Sequence, residues 1–275
     1  MLKAAVLGSP IVHSLSPYLH RAAHRGMGLH DWHYEAIECD EAALPGLIAG
    51  LDGTWRGLSL TMPLKRAVLP LLDTVSELAL QVGAANTVIL SQDGRHGDNT
   101  DVYGIVEALA EAGVTAPRAA TVLGGGATAS SALAALRRLG LGEATLVVRD
   151  PGRVSITAEA AERLGVNLTV QSFDKLEAAL EVDLVVSTLP SGAADDLAGT
   201  LERVPALFDV VYAPWPTRLA VAVAARGGTV VGGFPMLLHQ AVRQVELMTG
   251  RADVPVEAMR EAGKAEIVRR AAPAE

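Results

Sequence analysis

The pattern of apolar and polar positions changes character part-way along the chain. Lys3-Ala-Ala-Val-Leu7 reads as a buried strand that ends in a turn at Gly8-Ser-Pro10. Pro17 suits the first turn of a helix, with Ser16 as its N-cap and Gly26 as its stop. Trp32 to Glu38 has a period of two and predicts a second strand, and Ala42 to Gly50 predicts a helix. Gly57-Leu-Ser-Leu-Thr-Met-Pro-Leu-Lys65 alternates as well. Leu58, Leu60 and Met62 fall on one side of that strand and Ser59 and Thr61 on the other, and Pro63 ends it just before Lys65. Helices are expected over Lys65 to Leu72 and Val75 to Val82. Gly83 to Leu90 contains another strand, Asp93-Gly94 is a hairpin signal, and the return strand leads through Gly97 to Asp101. A helix over Val102 to Ala112 follows.

Beyond Gly113 the strands become continuous apolar runs. Ala119-Ala-Thr-Val-Leu123 leads into Gly124-Gly-Gly-Ala-Thr-Ala129, then a helix from Ser130 to Leu139 closed by Gly140, then the strand Ala144 to Val148. Strand, glycine turn, helix, strand is the setting in which a G-x-G-x-x-[GA] match carries meaning. Its glycines let the backbone approach a pyrophosphate, which the helix N-terminus then holds. The alternation continues with strands at Asn167 to Gln171, Val182 to Thr188, Leu207 to Val211 and Thr229 to Val231. Helices are expected at Lys175 to Leu180 and Thr217 to Arg226. Such alternation predicts a parallel sheet with helical crossovers, a doubly wound domain. Gly232-Gly233 leads into a helix from Met236 to Met248, another covers Val256 to Arg270, and the tail Ala271 to Glu275 is expected to fray. No internal repeat is found.

Composition narrows the function classes. The 275 residues suit one large domain or two of ordinary size. Half are apolar but only 4% aromatic, so the cores must be mainly Ala, Val and Leu. A net charge of −8, with no basic block beyond Arg269-Arg270, argues against a nucleic-acid surface. Gly8-Ser-Pro10 interrupts the amino-terminal apolar run before a signal peptide's would be complete. No stretch approaches the roughly 18 apolar residues of a membrane span. Cys39 is the single cysteine, which leaves no internal disulfide or multi-cysteine metal site, and the expected location is the cytoplasm. The seven histidines are scattered, so no metal site is expected; His13 reads as a turn residue and His239 as a neighbour of Gln240.

The candidate chemistry gathers in a few places. Ser14 and Ser16 are either turn and cap residues or two hydroxyls beside a helix N-terminus that receive a carboxylate. Ser59 and Thr61 present hydroxyls from one side of a strand, shortly before Lys65. Asn86 and Asn99 suit turns. Asp98-Asn-Thr-Asp101 lies at the seam between the two styles of chain. There Asp101 is either an N-cap or a carboxylate facing substrate and cofactor together, where a two-substrate enzyme needs its acid/base group.

Several motifs in order resemble the shikimate dehydrogenase family. They are Gly8-Ser-Pro-Ile-Val-His-Ser-Leu-Ser-Pro17, Gly57 to Lys65, Gly83-Ala-Ala-Asn-Thr87, Asp98 to Asp101, the turn at Gly124, Asp209-Val-Val-Tyr-Ala-Pro214 and Gly233-Phe-Pro-Met-Leu-Leu-His-Gln240. The resemblance implies a two-domain α/β fold: an amino-terminal α/β substrate domain, a Rossmann-like doubly wound parallel sheet, and a cleft between them. By it, residues 1–101 form the substrate domain, completed by the C-terminal helices 237–275, and residues 102–236 bind the cofactor. The implied activity is reversible NADP-dependent reduction of 3-dehydroshikimate to shikimate, on the route to chorismate and the aromatic amino acids. Lys65 and Asp101 match the catalytic pair. Ser14 and Ser16 match the hydroxyls holding the substrate carboxylate, with Thr61 and Tyr212 nearby, while Asn86, Asp101 and Gln240 match the side chains binding the ring hydroxyls. Gly124, Gly125, Gly126, Ala127, Thr128, Arg149, Thr188 and Gly233 are the implied cofactor residues. The implied partners are small molecules rather than nucleic acid or membrane, with the chain a monomer or homodimer.

The departures bear on specificity. Ser59 stands where the family usually has Asn, a shorter side chain that must reach substrate differently or through water. Arg21 follows His20 where many members have Asn, and Ser130 stands where an Arg is frequent. Val148-Arg149-Asp150 replaces the usual Asn-Arg-Thr. Arg149 remains able to grip a 2′-phosphate, whereas Asp150 would repel it if it pointed the same way. No acidic residue sits at the strand end itself, as an NAD site would want, so NADP is the expected cofactor. An NAD-dependent quinate/shikimate dehydrogenase is the alternative enzyme. A non-catalytic shikimate-binding relative is the alternative of another class, and the presence of Lys65, Asp101 and the glycine turn argues against it. A Rossmann enzyme of another chemistry would explain only the second half of the chain. Lys65 is either the proton donor or an electrostatic clamp.

Overall fold

A computed structural model describes residues 1–201 and 203–272; the last part of the tail expected to fray lies outside the described residues. The chain folds into two compact units. The first comprises Met1–Leu80, Ala84–Thr100 and the chain from Leu238 onward, the second Gln81–Gly83 and Asp101–Leu237. The expected partition differs in detail, because Asp101 and residues 81–83 group with the second unit and residue 237 stays in it.

The first unit runs β1 (Leu2–Gly8), α1 (Ser16–Gly26), β2 (Trp32–Glu38), α2 (Leu44–Ala49), β3 (Trp55–Leu60), α3 (Leu64–Ala67), β4 (Thr74–Val75), α4 (Glu77–Val82), β5 (Thr87–Ser91) and β6 (Gly94–Asp98). Its sheet has the order β2-β1-β3-β5-β6-β4. β1 pairs in parallel with β2 and β3, whereas β5 is antiparallel to both β3 and β6. β1 is apolar apart from Lys3, and it serves two cores at once. Ala5 and Leu7 join Leu58, Leu60, Leu64, Val68 and Val88 on one face, while Ala4 and Val6 join Ile11, Tyr34 and Met248 on the other. That split is the period of two at work.

Three expectations fail here for local reasons. The helix over Lys65 to Leu72 is only α3 followed by a 3₁₀ turn at Leu69–Leu71, because Pro70 has no N–H to donate and its ring opposes a continued helix. Thr74–Val75 is a short strand paired with β6 rather than the start of a helix. Met62 does not share the inward side with Leu58 and Leu60: the strand ends at Leu60, and Met62 is 68% exposed. In the hairpin, Ser91 pairs with Gly94, so Gln92-Asp93 make the turn and Gly94 begins the return strand. Gly94 has φ +117°, and a Cβ there would lie 2.7 Å from the Asp73 carboxylate that binds Arg95.

The second unit continues with α5 (Asp101–Glu111), β7 (Ala120–Leu123), α6 (Ala127–Arg138), β8 (Glu143–Val148), α7 (Ser155–Leu164), β9 (Asn167–Ser172), β10 (Leu184–Ser187), α8 (Ala198–Leu201), β11 (Ala206–Asp209), α9 (Arg218–Ala225) and β12 (Thr229–Val231). Its sheet is parallel throughout, in the order β12-β11-β10-β7-β8-β9. From β7 the chain winds outward through β8 and β9, then returns to β10 on the other side. The carboxyl ends of β7 and β10 therefore form a topological switch point, where open α/β sheets bind ligands. The segment expected as a helix at Lys175 to Leu180 is a 3₁₀ helix over Phe173–Ala179, and α8 was not anticipated. α10 (Gly233–Thr249) starts three residues earlier than expected, and α11 (Val256–Ala271) packs along α1. Among the described residues no helix is long and apolar enough to cross a membrane, and no group of three or more His, Cys, Asp or Glu side chains is arranged to hold a metal ion.

Candidate active site

In the first unit the loop after β1 is held from three directions. Gly8 approaches Thr61 so closely that a Cβ would lie 2.3 Å from the Thr61 methyl, so only glycine lets these two segments meet. Glu38, at the end of β2, accepts the Ile11 N–H at 2.9 Å and also binds Ser9, which holds its carboxyl below the usual range. From α11, Arg270 donates to the carbonyls of His13 at 2.6 Å and Ser14 at 3.2 Å, and its Nε donates to buried Glu266 at 2.6 Å. Ser14 is half-buried and Ser16 buried. Ser16 is the first residue of α1 rather than its N-cap. Leu15 occupies the cap position without a side-chain bond, and Ser14 Oγ accepts the Ser16 N–H at 3.3 Å. Pro17 has no N–H, and the amides of Tyr18 and Leu19 bond the Leu15 carbonyl, so what this helix start offers a ligand is its two hydroxyls.

The Asn86 neighbourhood is dense. Asn86 Oδ1 accepts from Thr100 N at 2.7 Å and from Thr87 Oγ1 at 2.9 Å, while Nδ2 donates to Thr100 Oγ1 at 3.0 Å and to Gln240 Oε1 at 3.3 Å. Asn99 Nδ2 donates to Ala84 O at 2.9 Å, and Ala85 N donates to the carbonyl of Lys65 at 2.7 Å. The backbone carrying Lys65 is thus tied to the turn carrying Asn86. Lys65 is half-buried in α3, Thr61 is half-buried, and Gln240 is 7% exposed. Asn86 and Asn99 are bonded side chains rather than simple turn residues.

Ser59 behaves differently from its neighbours. It is 3% exposed, accepts the Tyr34 hydroxyl at 2.7 Å and donates to Gln244 Oε1 at 2.8 Å. His20 stacks on Tyr34 with ring centroids 3.9 Å apart, and its Nε2 lies 3.2 Å from Gln244 Oε1. That oxygen only accepts, so His20 is the Nε2–H tautomer. Burial raises the Tyr34 pKa, and hydrogen bonds with Ser59 and Ser16 oppose that rise. Tyr34, Gln244, Glu38 and Arg270 carry no motif signal. Only contacts between residues distant in sequence identify them.

In the second unit Asp101 is the first residue of α5 and 4% exposed, immediately after Thr100 of the first unit. The glycine turn follows β7. Gly124 has φ +99°, and a Cβ there would lie 2.6 Å from Thr188 Oγ1. Thr188 in turn donates from Oγ1 to the Leu123 carbonyl at 2.8 Å, so it shapes the turn from β10. Thr157 Oγ1 donates to the Gly125 carbonyl at 2.9 Å. Gly126 caps α6 with extended backbone and no side-chain bond, and a Cβ added there would meet nothing within 4 Å. Ala127 and Thr128 are helical, in the first turn, where small side chains leave the helix N–H groups approachable.

At the end of β8, Arg149 is exposed and Asp150 caps the following 3₁₀ turn, its Oδ1 accepting the Gly152 N–H at 2.9 Å. Arg153, which no motif singles out, is exposed on that same turn. Asp209 is buried at the end of β11, which raises its pKa. It accepts from Thr217 Oγ1 at 2.8 Å and Val211 N at 3.2 Å, fixing the loop that carries half-buried Tyr212. Gly233 is a steric requirement: a Cβ there would lie 1.9 Å from the Val210 carbonyl oxygen. The open glycine cradle, the uncapped N-terminus of α6 and two exposed guanidiniums fit a phosphorylated dinucleotide.

Known proteins resemble this chain along most of its length. A family model described as the shikimate dehydrogenase substrate binding domain matches residues 6–88, and one described as the shikimate 5′-dehydrogenase C-terminal domain matches residues 233–262. The chain is 38% identical over 255 residues to a protein of Thermus thermophilus named shikimate dehydrogenase (NADP(+)), covering 91% of this chain and 93% of the relative. The crystal structure of Mycobacterium tuberculosis shikimate dehydrogenase superposes with a TM-score of 0.90 at 44% identity, covering 96% of this chain and all of that one. A Thermus thermophilus shikimate 5-dehydrogenase solved with NADP(H) and shikimate gives a TM-score of 0.84 at 36% identity, covering 96% and 99%. With this similarity running along nearly its whole length, the chain belongs to the shikimate dehydrogenase family.

Proposed function

We propose that the chain catalyses the reversible, NADP-dependent reduction of 3-dehydroshikimate to shikimate. Its similarity to NADP(+) shikimate dehydrogenases over 91% of its length carries this reading. The glycine turn lies in the second unit, and Ser14, Ser16, Thr61, Lys65, Asn86 and Gln240 lie in the first. Ser14 and Ser16, beside the start of α1, receive the substrate carboxylate, with Thr61 close by on the loop that Gly8 admits. Asn86 and Gln240 bind ring hydroxyls. A substrate hydroxyl readily replaces the long 3.3 Å contact from Asn86 to Gln240. Asp101 and Tyr212 belong to the same substrate set in this reading.

NADP, when bound, supplies or accepts the hydride at the substrate's C3. Reduction there leaves negative charge on the C3 oxygen, and a protonated Lys65 stabilises that charge and gives up its proton, regaining one from water. In oxidation the same amine takes the hydroxyl proton. Asp101 orients the ammonium and binds a hydroxyl of the ring. Gly124, Gly125 and Gly126 admit the pyrophosphate to the N-terminus of α6, which Ala127 and Thr128 leave approachable. Thr188 keeps the turn in shape, and Gly233 seats α10 against the β11 loop. Arg149, with Arg153 beside it, grips the 2′-phosphate. Asp150 is engaged with the Gly152 amide, so it opposes the phosphate less than its position in the sequence suggests.

The test is initial rates of shikimate oxidation with NADP and NAD in parallel, with quinate as second substrate. Shikimate turnover with a clear NADP preference is expected. Turnover mainly with NAD, or equally on quinate, would replace this reading with a quinate/shikimate dehydrogenase.

A further inference from the structure

Ser59 is buried, and its hydroxyl is committed on both sides within the protein. Gln244, four residues beyond Gln240 on the same face of α10, fixes the direction of that commitment. The Gln244 Nε2 donates to Asn86 O and to Thr87 Oγ1, both at 3.1 Å, so its Oε1 faces Ser59 and His20. An amide oxygen only accepts, so Ser59 must donate to it. The Ser59 oxygen then takes the one proton of Tyr34. At the other end Thr87 Oγ1 donates to Asn86 Oδ1 at 2.9 Å. Every member from Tyr34 to Thr87 is buried.

We propose that Tyr34, Ser59 and Gln244 are positioning residues, a single buried hydrogen-bond chain that sets Asn86 at the hydroxyl end of the substrate site, and that Ser59 does not touch substrate. The inference rests on the shikimate reading of that site. Physically, a chain with one polarity transmits a break. Removing any hydroxyl leaves the next buried donor or acceptor unmatched, and Asn86 loses its fixed position. Shikimate and 3-dehydroshikimate share the carboxylate and the remaining hydroxyls, so the chain acts on binding of both and leaves the hydride step alone.

The experiment is steady-state kinetics on the full chain with Tyr34→Phe, Ser59→Ala and the double variant. Each single change should raise the KM for shikimate roughly tenfold, with kcat and the KM for NADP within about twofold of wild type. The double variant should be no more than about threefold worse than the poorer single one, because one break already interrupts the chain. Effects that multiply to about a hundredfold would show Ser59 acting on substrate independently and would overturn the proposal. An unmoved KM in Tyr34→Phe, or kcat and both KM values worsening together with the melting temperature, would do the same. Tyr34→Phe removes one oxygen and keeps the ring stacked on His20, so it guards against simple unfolding. Wild-type chain that turns over no shikimate would overturn the functional reading and this inference together. Wild-type turnover with unaffected variants would overturn this inference alone.

Discussion

Mild acid should destabilise this protein through two histidines. His20 is fully buried against Tyr34, and burial, followed by the nearby His24, lowers its pKa to about 3 despite the bond to Gln244. Burial lowers His24 to about 4. Both folded values lie below the unfolded value of 6.5. Between 6.5 and those folded values the unfolded chain therefore binds protons that the native state refuses. Stability is complete above pH 6.5 and falls as the pH drops. At pH 5.5 an unfolded imidazole of pKa 6.5 is about ten-elevenths protonated, so each histidine costs RT ln 11, about 1.4 kcal/mol, and the pair about 2.8 kcal/mol. Against a total stability of about 5–15 kcal/mol that loss is measurable. The strongly depressed carboxyls, Asp73 and Glu266 at about 2, lose their contributions only at lower pH. Urea unfolding at pH 7.5, 6.5 and 5.5 measures the loss. His24→Phe, which keeps a ring beside Trp32, should remove about half of the pH dependence. Equal wild-type stability at pH 7.5 and 5.5, within about 0.5 kcal/mol, would refute the argument that these imidazoles are held neutral.

Three further outcomes are expected. Lys65→Ala should reduce kcat by about 100- to 10,000-fold while shikimate affinity, measured calorimetrically, changes little; unchanged turnover would remove Lys65 from the chemistry. Arg149→Ala should raise the KM for NADP roughly tenfold or more and leave that for NAD unaltered, and equal effects on both would deny it the phosphate. Gly233→Ala forces a methyl group against the Val210 carbonyl, whose backbone cannot yield cheaply, so thermal unfolding should show a loss of about 1–3 kcal/mol or more. A melting temperature equal to wild type would show that α10 starts differently.

Local pattern carried much of the architecture because the signals concerned are short-range. The period of two at Trp32–Glu38 and the continuous apolar runs of β7, β8 and β10 are written in consecutive residues, as is the glycine turn between β7 and α6. Where the pattern misled, a competing local rule outweighed it. Pro70 cut α3 short, and the end of β3 at Leu60 released Met62 to solvent. Thr74–Val75 became a strand only because β6 offered it an edge, which nothing within those two residues announces.

The candidate site divides along the same line. Ser14, Ser16, Lys65, Asn86, Asp101, Gln240 and the glycine turn were legible because chemistry at a fixed spacing leaves a motif. Sequence alone offered Arg149 and left the direction of Asp150 open, since a carboxylate's direction depends on the turn that follows it, here the Gly152 amide. Tertiary structure alone decided the supports. Ser59 and Gln244 are 185 residues apart and meet at 2.8 Å, and Arg270 reaches the His13 carbonyl across 257 residues. Such partners are chosen by how strands and helices pack, and packing is a property of the assembled chain. The sequence by itself determined which chemical groups this protein possesses and roughly which elements carry them. The tertiary structure decided which of those groups face outward to a ligand and which, like Ser59, are turned inward, because burial and hydrogen-bond satisfaction are settled only when distant segments close on one another.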